Sequence, residues 1–242
     1  MTASTPLLDL QGIVKGYQAL RPLRIRALRV HAGDLISLGG LDAQAAEVFV
    51  HLMTGAMLPD EGEIALFGRN TRSITDGDAW LRSLDNVGII SGRSVLIGAF
   101  TILQNVAMPF SLEVDPIHPA VLPQATAVAS EAGLDSATWD RPAGGASAEA
   151  QMRAHLARAL ALEPRLLIAE HPTATLPRDA AAPFGRDLGR IARARGIALV
   201  ALTADDACAA ALGGQRLMLN GATGELKAPS ALGLFRKMFD RS

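Results

Sequence analysis

The sequence predicts an α/β fold in which a mostly parallel sheet is flanked by helices. Short apolar runs that suit strands alternate along the chain with longer stretches that suit helices. The run at 166–169 is apolar throughout and lies between chain breakers, as expected for a buried parallel strand. Hydrophobic residues make up 49% of the 242 residues and charged residues 19%, which is typical of a folded globular protein.

The first third of the chain is predicted to run strand, glycine loop, helix, turn and strand. Alternation of apolar and polar residues indicates half-buried strands, and two glycines precede the helix, which ends near Gly55. A proline and glycine turn leads into the last strand of this part. The predicted elements are strands at 7–10, 25–30, 35–38 and 63–67, and a helix at 45–54.

The rest of the chain is mainly helical from about residue 101 to 160 and then returns to alternating strands and helices. The clearest helix is predicted at 149–162, where apolar residues fall on one face and Arg153 is expected to point away from it. Pro164 ends this helix. The other predicted elements are strands at 87–90, 166–169, 197–202 and 217–219, a helix at 180–195, and another helix between the last two strands.

Composition and charge exclude several classes of protein. The formal net charge is −1, and no basic run is long enough to follow a phosphate backbone, so no nucleic-acid partner is expected. Cys208 is the only cysteine, which excludes a disulfide framework, and the scattered histidines suggest no metal site. Residues 1–6 lack the features of a signal peptide, and no apolar run is long enough to span a membrane. A cytoplasmic protein is therefore expected.

Three stretches of the chain resemble the ATP-binding (ATPase) subunit of ATP-binding-cassette (ABC) transporters. Residues 33–64 match the family's strand, phosphate loop and helix without a gap, and residues 87–109 match the segment around its glutamine loop. The most specific match is 156–168, which is similar to the helix after the signature motif and the Walker B strand.

The resemblance covers nearly the whole chain and implies an ABC-type P-loop NTPase fold in a single domain, 1–242. That fold has an N-terminal antiparallel β part and a helical subdomain inserted into the core. Here the core would comprise about 1–91 and 162–242, and the helical subdomain about 92–161.

The phosphate loop departs from the pattern that binds phosphate. The family pattern is G-x-x-x-x-G-K-[ST], in which the lysine neutralises phosphate and the hydroxyl holds magnesium. Of this pattern, residues 40–47 keep only Gly40; Ala46 replaces the lysine and Glu47 the hydroxyl. Two unit charges about 4 Å apart interact by about 4 kcal/mol at an effective dielectric near 20, so Glu47 would repel a triphosphate. Glu47 and Asp42 also suit an ordinary helix N-terminus, and both interpretations predict a poor phosphate site.

The glutamine loop and the signature motif are altered as well. Gly92 stands where the resemblance places a glutamine that binds magnesium and water and couples to the membrane subunit. The signature sequence LSGGQ corresponds to residues 146–150, which keep Ser147 but carry Glu149 in place of a glycine that would approach the γ-phosphate.

The Walker B strand ends on different residues from those of the family. Glu170 replaces the aspartate, His171 replaces the glutamate that polarises the attacking water, and Ala204 replaces the switch histidine. His171 could act as a general base beside Glu170, but a structural or interface histidine is the preferred interpretation. No catalytic residue is therefore assigned, and binding of ATP and magnesium is expected to be weak or absent.

Tyr17 falls where the resemblance places an aromatic ring that stacks on adenine. The equal alternative is a tyrosine at a strand end that packs on the core. Weak adenine binding without capture of the phosphates is therefore kept as a hypothesis.

These features predict a degenerate ABC ATP-binding subunit, a pseudo-ATPase with a structural or regulatory role in a membrane transport complex. Its expected partners are a membrane permease and a second ABC ATPase subunit, in a homodimer or a heterodimer, at the inner face of the cell membrane. Residues 105–110 hint at lipid or lipoprotein transport. The alternatives are an ATPase with altered chemistry and a free-standing scaffold or regulatory protein.

Overall fold

The computed structural model describes residues 5–229, which form ten strands and seven α-helices. The strands are β1 (Leu8–Lys15), β2 (Leu23–Val30), β3 (Leu35–Gly39), β4 (Glu61–Leu66), β5 (Arg69–Asn70), β6 (Val87–Ser91), β7 (Leu166–Glu170), β8 (Ala198–Leu202), β9 (Gln215–Leu219) and β10 (Leu226–Lys227). The helices are α1 (Ala43–Met53), α2 (Gly77–Leu84), α3 (Ile102–Ala107), α4 (Leu122–Glu131), α5 (Ala148–Leu160), α6 (Arg178–Arg195) and α7 (Asp206–Leu212).

The strands form two sheets. A four-stranded antiparallel sheet has the order β2-β1-β4-β5. A six-stranded sheet has the order β10-β9-β3-β8-β7-β6, in which only β10 runs antiparallel to its neighbour. The predicted fold class, a mostly parallel core sheet with an N-terminal antiparallel part, is confirmed.

Alternate residues of the central strands enter two different cores. Leu167 and Ala169 of β7 pack in a cluster with residues of α3 to α6, whereas Leu166 and Ile168 pack in a cluster with α1 and the antiparallel sheet. A parallel sheet that is covered on both faces needs apolar residues at every position of its inner strands. This requirement explains why the apolar run at 166–169 is continuous.

Helix α1 follows β3 and packs against the parallel sheet. Asp42 caps its N-terminus, and Phe49 and Leu52 on its buried face are fully inaccessible to solvent. The helix ends before Thr54, and Gly55 follows with a φ of +70°, a conformation that favours glycine. The ridge of apolar residues therefore fixes α1 with its N-terminus at the carboxyl edge of the sheet.

Helices α3, α4 and α5 lie between β6 and β7 in the chain and pack on one another. Thr101 and Gln104 form a reciprocal capping box at the start of α3. Asn105 is fully buried, and its side-chain amide donates to the carbonyls of Ile97 and Thr101. These bonds tie the segment after β6 to the helical part of the molecule.

The prediction that Arg153 points away from the core is wrong. This side chain on α5 is only 11% exposed, and its Nη1 lies 3.0 Å from a carboxylate oxygen of Asp187 on α6 and 2.9 Å from the carbonyl of Ala132. Its Nε donates to Glu149, one turn earlier. A buried guanidinium is stable only with such partners, and two of them, Ala132 and Asp187, come from distant parts of the chain.

Three short elements were not predicted: β5, β10 and α2. The two strands have two residues each, too few to show a periodic pattern. The eight-residue α2 is capped by Asp76, which accepts from the N–H of Ala79. Within residues 5–229 no helix combines the length and the apolar character needed to cross a membrane.

Candidate functional site

Four parallel strands end at the same edge of the sheet, where α1 begins. Leu38 of β3 pairs with Leu202 of β8, and Glu170 of β7 pairs with both Leu202 and Ser91 of β6. The residues that follow these strands are therefore neighbours in space. In open α/β sheets, ligands bind at this carboxyl edge.

The first part of the edge is the loop between β3 and α1. Gly40 has a φ of +87°, and a Cβ added there would lie 2.7 Å from the carbonyl oxygen of Leu219, so the position requires glycine. The Asp42 carboxylate accepts a hydrogen bond from the N–H of Ala45 at 2.8 Å. Ala46, where the resemblance places lysine, is fully buried.

This loop does not fit a nucleotide phosphate. Helix N-termini bind phosphate through free backbone N–H groups and a positive end dipole. Here the side chain of Asp42 takes one of those N–H groups and brings its own negative charge. An incoming phosphate would meet a carboxylate, and no lysine follows to neutralise it.

Tyr17, just beyond the end of β1, lies beside this loop. Its ring packs against the core cluster of α1 and the antiparallel sheet and lines an open cleft of about 400 Å³ with Leu41 and Asp42. Burial and the nearby Asp42 carboxylate raise the pKa of the Tyr17 hydroxyl. The ring therefore both supports the core and faces the cleft, and adenine stacking stays a prediction.

The second part of the edge is an ion-pair cluster centred on Arg93. Its guanidinium contacts the Glu47 carboxylate on α1 and the Glu170 carboxylate at the end of β7. Nη2 and Nε lie 2.6 and 3.1 Å from the Glu170 Oε2, which also accepts a hydrogen bond from the Ser91 hydroxyl at 2.8 Å. Glu170 is only 5% exposed, so its charge needs these partners.

Arg93 was not predicted as a site residue from the sequence. It directly follows Gly92, which stands at the position of the family's glutamine. Gly92 itself is exposed, and a Cβ added there would meet no atom within 4 Å. The sequence signal was a basic residue next to the altered glutamine position, while the two other altered magnesium positions, Glu47 and Glu170, are acidic. Complementary charge at three positions of one site could have indicated the cluster.

The residues present do not fit a magnesium ion as the chain is folded. Carboxylate oxygens are suitable ligands, but magnesium demands near-octahedral oxygen geometry. The carboxylates of Glu47 and Glu170 instead share one guanidinium. Within residues 5–229, no group of three or more His, Cys, Asp and Glu side chains is arranged to hold a metal ion.

The third part of the edge is a cavity of about 390 Å³ that brings His171 and Ala204 together. His171 has a φ of +41°, and its backbone N–H donates to the carbonyl of Leu202 at 2.8 Å. Its Nε2 is buried and has no hydrogen-bond partner in the described part of the chain. The Asp205 carboxylate caps α7. Glu170 faces the other way, toward Ser91 and Arg93.

The signature segment lies at the start of α5. The Ser147 hydroxyl caps the helix by accepting from the N–H of Ala150 at 3.2 Å, and Glu149 pairs with Arg153. None of the hydrogen bonds and ion pairs found between residues 5 and 229 joins Ser147 or Glu149 to the loop at 40–47.

No protein-family model matches the sequence, but curated relatives do. The chain is similar to the lipoprotein-releasing system ATP-binding protein LolD of Geobacter metallireducens, with 30% identity over 221 residues, 89% of this chain and 96% of that protein. LolD of Psychrobacter arcticus is 29% identical over 194 residues, 80% of this chain and 85% of that protein.

Solved structures share the fold. The dimeric structure of the ATP-binding cassette MJ0796 bound to ADP and Pi has a TM-score of 0.74 at 20% identity, covering 91% of this chain and 98% of that chain. CbiO1 from Clostridium perfringens, part of the ABC transporter complex cbiONQ, has a TM-score of 0.76 at 15% identity, covering 98% and 96%.

Proposed function

This chain belongs to the family of ATP-binding subunits of ABC transporters, and from that premise we propose that it serves a membrane transport complex without hydrolysing ATP. Its role in that complex is then structural or regulatory. The relatives named as lipoprotein-releasing support a complex that handles lipid or lipoprotein.

The observation that carries this proposal is the state of the phosphate loop. The carboxylate of Asp42 occupies an N–H group of α1 that a phosphate would use, and a buried alanine, Ala46, stands in place of lysine. Both changes disfavour an anion at the same point, because the carboxylate repels it and no cation offsets that repulsion. Loss of catalysis through the altered positions Gly92, Glu170 and Ala204, and through Glu149 beside the retained Ser147, stays a prediction.

The expected partners are a membrane permease and a second ABC ATPase subunit at the inner face of the membrane. A cleft between β6 and α5 supports such a contact, because exposed Val95 and Leu162 lie near the partly buried Arg158. Burial lowers the pKa of the Arg158 guanidinium, whose Nη1 donates to the carbonyl of Val95 at 2.8 Å. Apolar side chains beside a desolvated cation suit a partner segment that carries an acid.

One observation favours a second candidate, an ATPase with altered chemistry. His171 lines the cavity at the end of β7, and its buried Nε2 has no hydrogen-bond partner in the described structure. Under this alternative, His171→Gln abolishes any phosphate release. The proposed function instead predicts that no release is present to abolish.

The deciding experiment is calorimetric titration of the full chain with ATP and magnesium, together with a phosphate-release assay. LolD of Geobacter metallireducens serves as the comparison protein, prepared and assayed in the same way. We expect neither binding at millimolar ATP nor release from this chain. Tight magnesium-dependent binding would refute the proposal.

A matched variant tests whether the changes in the phosphate loop alone cause the expected loss of ATP binding and hydrolysis. Ala46→Lys with Glu47→Ser restores the two lost groups, and circular dichroism checks that the variant folds. Activity in this variant would mean that the rest of the site is intact. Continued inactivity of a folded variant would support the wider loss that the other altered positions predict.

The free-standing alternative is tested by partner binding. A polytopic membrane protein encoded beside this chain is the partner to co-express. Co-purification in detergent, weakened by Arg158→Glu, supports the transport role, whereas its absence with every neighbouring membrane protein favours the scaffold alternative.

A further inference from the structure

We infer that Arg93 is a built-in cation that stands in the place of the magnesium ion and joins α1 to β7 without a nucleotide. The inference rests on the proposed function, since a subunit that bound magnesium nucleotide at this edge would need Glu47 and Glu170 free. It explains what replaced the metal.

The contacts of Arg93 come from the two elements that flank the phosphate site. Glu47 lies in the second turn of α1, and Glu170 is the last residue of β7. The guanidinium touches both carboxylates, and the backbone N–H of Arg93 donates to the Ser91 hydroxyl at 3.1 Å. By the resemblance, Glu47, Gly92 and Glu170 stand where the family holds magnesium. The cation on the next residue thus lies among three metal-ligand positions.

The charges explain why the cluster needs a permanent cation. Glu47 and Glu170 carry two negative charges, and Arg93 supplies one positive charge. Three donors converge on the Glu170 Oε2: the Ser91 hydroxyl and two nitrogens of Arg93. A buried carboxylate that loses its counter-charge is strongly destabilising, so this arrangement resists opening.

The consequence is a link between α1 and the β6–β7 edge that does not depend on nucleotide. Arg93 also fixes the start of the segment after β6. Further along this segment, the backbone N–H of Ile97 donates a hydrogen bond to the side chain of Asn105. That segment therefore keeps its position in the absence of ATP. A subunit of this kind presents one constant surface to its partner.

The test is thermal unfolding of the full chain after EDTA treatment, with and without millimolar magnesium. Arg93→Ala should lower the Tm by roughly 6–12 °C, because it leaves Glu170 buried without a counter-charge. Magnesium should restore part of that loss in the variant and leave the wild type unchanged. Arg82→Ala, at an exposed position on α2, is the control and should stay within about 2 °C of wild type.

Two further variants keep the test decisive if Arg93→Ala folds poorly. Arg93→Lys keeps the charge with fewer contacts and should recover part of the Tm. Arg93→Ala combined with Glu170→Gln removes the unpaired charge, so it should melt above Arg93→Ala alone and lose the response to magnesium. Equal melting of both would overturn the inference.

The outcomes separate this inference from the proposed function. If the wild type binds ATP with magnesium, the proposed function fails and the cluster must open. If the wild type binds no ATP but Arg93→Ala melts like the wild type, only the inference fails. Equal stabilisation of wild type and variant by magnesium would also refute it.

Discussion

Two parts of the same sheet edge treat the altered family positions in opposite ways. At α1 and the end of β7, the new side chains neutralise or cap one another: Asp42 caps a helix, and Arg93 pairs with Glu47 and Glu170. At His171 and Ala204, an open cavity remains, and the Nε2 of His171 has no partner in the described structure. We call these parts the paired region and the open region. Polar replacements that have hydrogen-bond or ion-pair partners stabilise the fold. Replacements without a partner add no such stability, and they can either support a site or loosen it.

The largest expected effect is a loss of folding stability at acidic pH. It arises at His155, outside both regions, so the two regions are compared at neutral pH. Burial, followed by the charge of Arg158, lowers the pKa of His155 on α5 from 6.5 to about 4. The unfolded chain therefore takes up a proton as pH falls below 6.5, whereas the folded chain does so only near 4. The contribution of His155 to the free energy of unfolding is therefore complete above pH 6.5, and about 3 kcal/mol is lost as the pH drops toward 4.

Denaturant unfolding at several pH values measures this loss. His155→Gln should remove most of the slope between pH 4 and 6.5, and His118→Gln, at an exposed position, should retain it. An unchanged slope in His155→Gln would show that another group governs acid sensitivity.

The next effect should separate the paired region from the ordinary surface. Glu170→Ala removes the acceptor for Ser91 and Arg93, and it should lower the free energy of unfolding by about 2 kcal/mol. Glu63→Ala, on the exposed side of β4, should change it by less than about 0.5 kcal/mol. Urea unfolding at neutral pH makes the comparison, and equal losses would remove the distinction between the paired region and the ordinary surface.

Loss of the helix cap at Asp42 should lower the free energy of unfolding by less than Glu170→Ala does. Asp42→Ala removes the acceptor for the N–H of Ala45 and should cost about 1 kcal/mol, whereas Asp42→Asn keeps a cap and should cost only a few tenths. The same urea experiment measures both. If Asp42→Ala is as stable as wild type, the carboxylate does not hold the loop.

The open region should give the smallest change. His171→Gly removes a side chain whose Nε2 is unpartnered and relieves a positive φ, so stability should stay within about 1 kcal/mol of wild type and can rise. Gly92→Ala, where an added Cβ meets no atom, should stay within about 0.5 kcal/mol. A loss above about 2 kcal/mol for His171→Gly would mean that the histidine supports the fold after all.

Much of the fold could be predicted because its signals are local. The apolar run of β7 and the helical pattern of α5 lie within single elements, and the structure places them within two residues of the predicted bounds. Arg153 was misjudged because its partner Asp187 lies on another helix, 34 residues away. The pattern of one helix does not show which of its polar residues will meet a partner.

The candidate site divides in the same way. The altered residue at each family position could be named from the sequence, since matching a motif needs only neighbouring residues. The role of Glu47 and Glu170 depends on their ion pairs with Arg93, and Arg93 belongs to none of the family's motifs. The experiments above address the roles of these residues.

By itself, the sequence determined the fold class and the altered nucleotide motifs, because both are patterns of adjacent or periodic residues. Only the tertiary structure decided which of the new charges are paired. Arg93 and Glu170 are 77 residues apart in the chain and meet because β6 and β7 are neighbouring parallel strands. Coulomb interactions depend on distance in space, and strand pairing sets that distance.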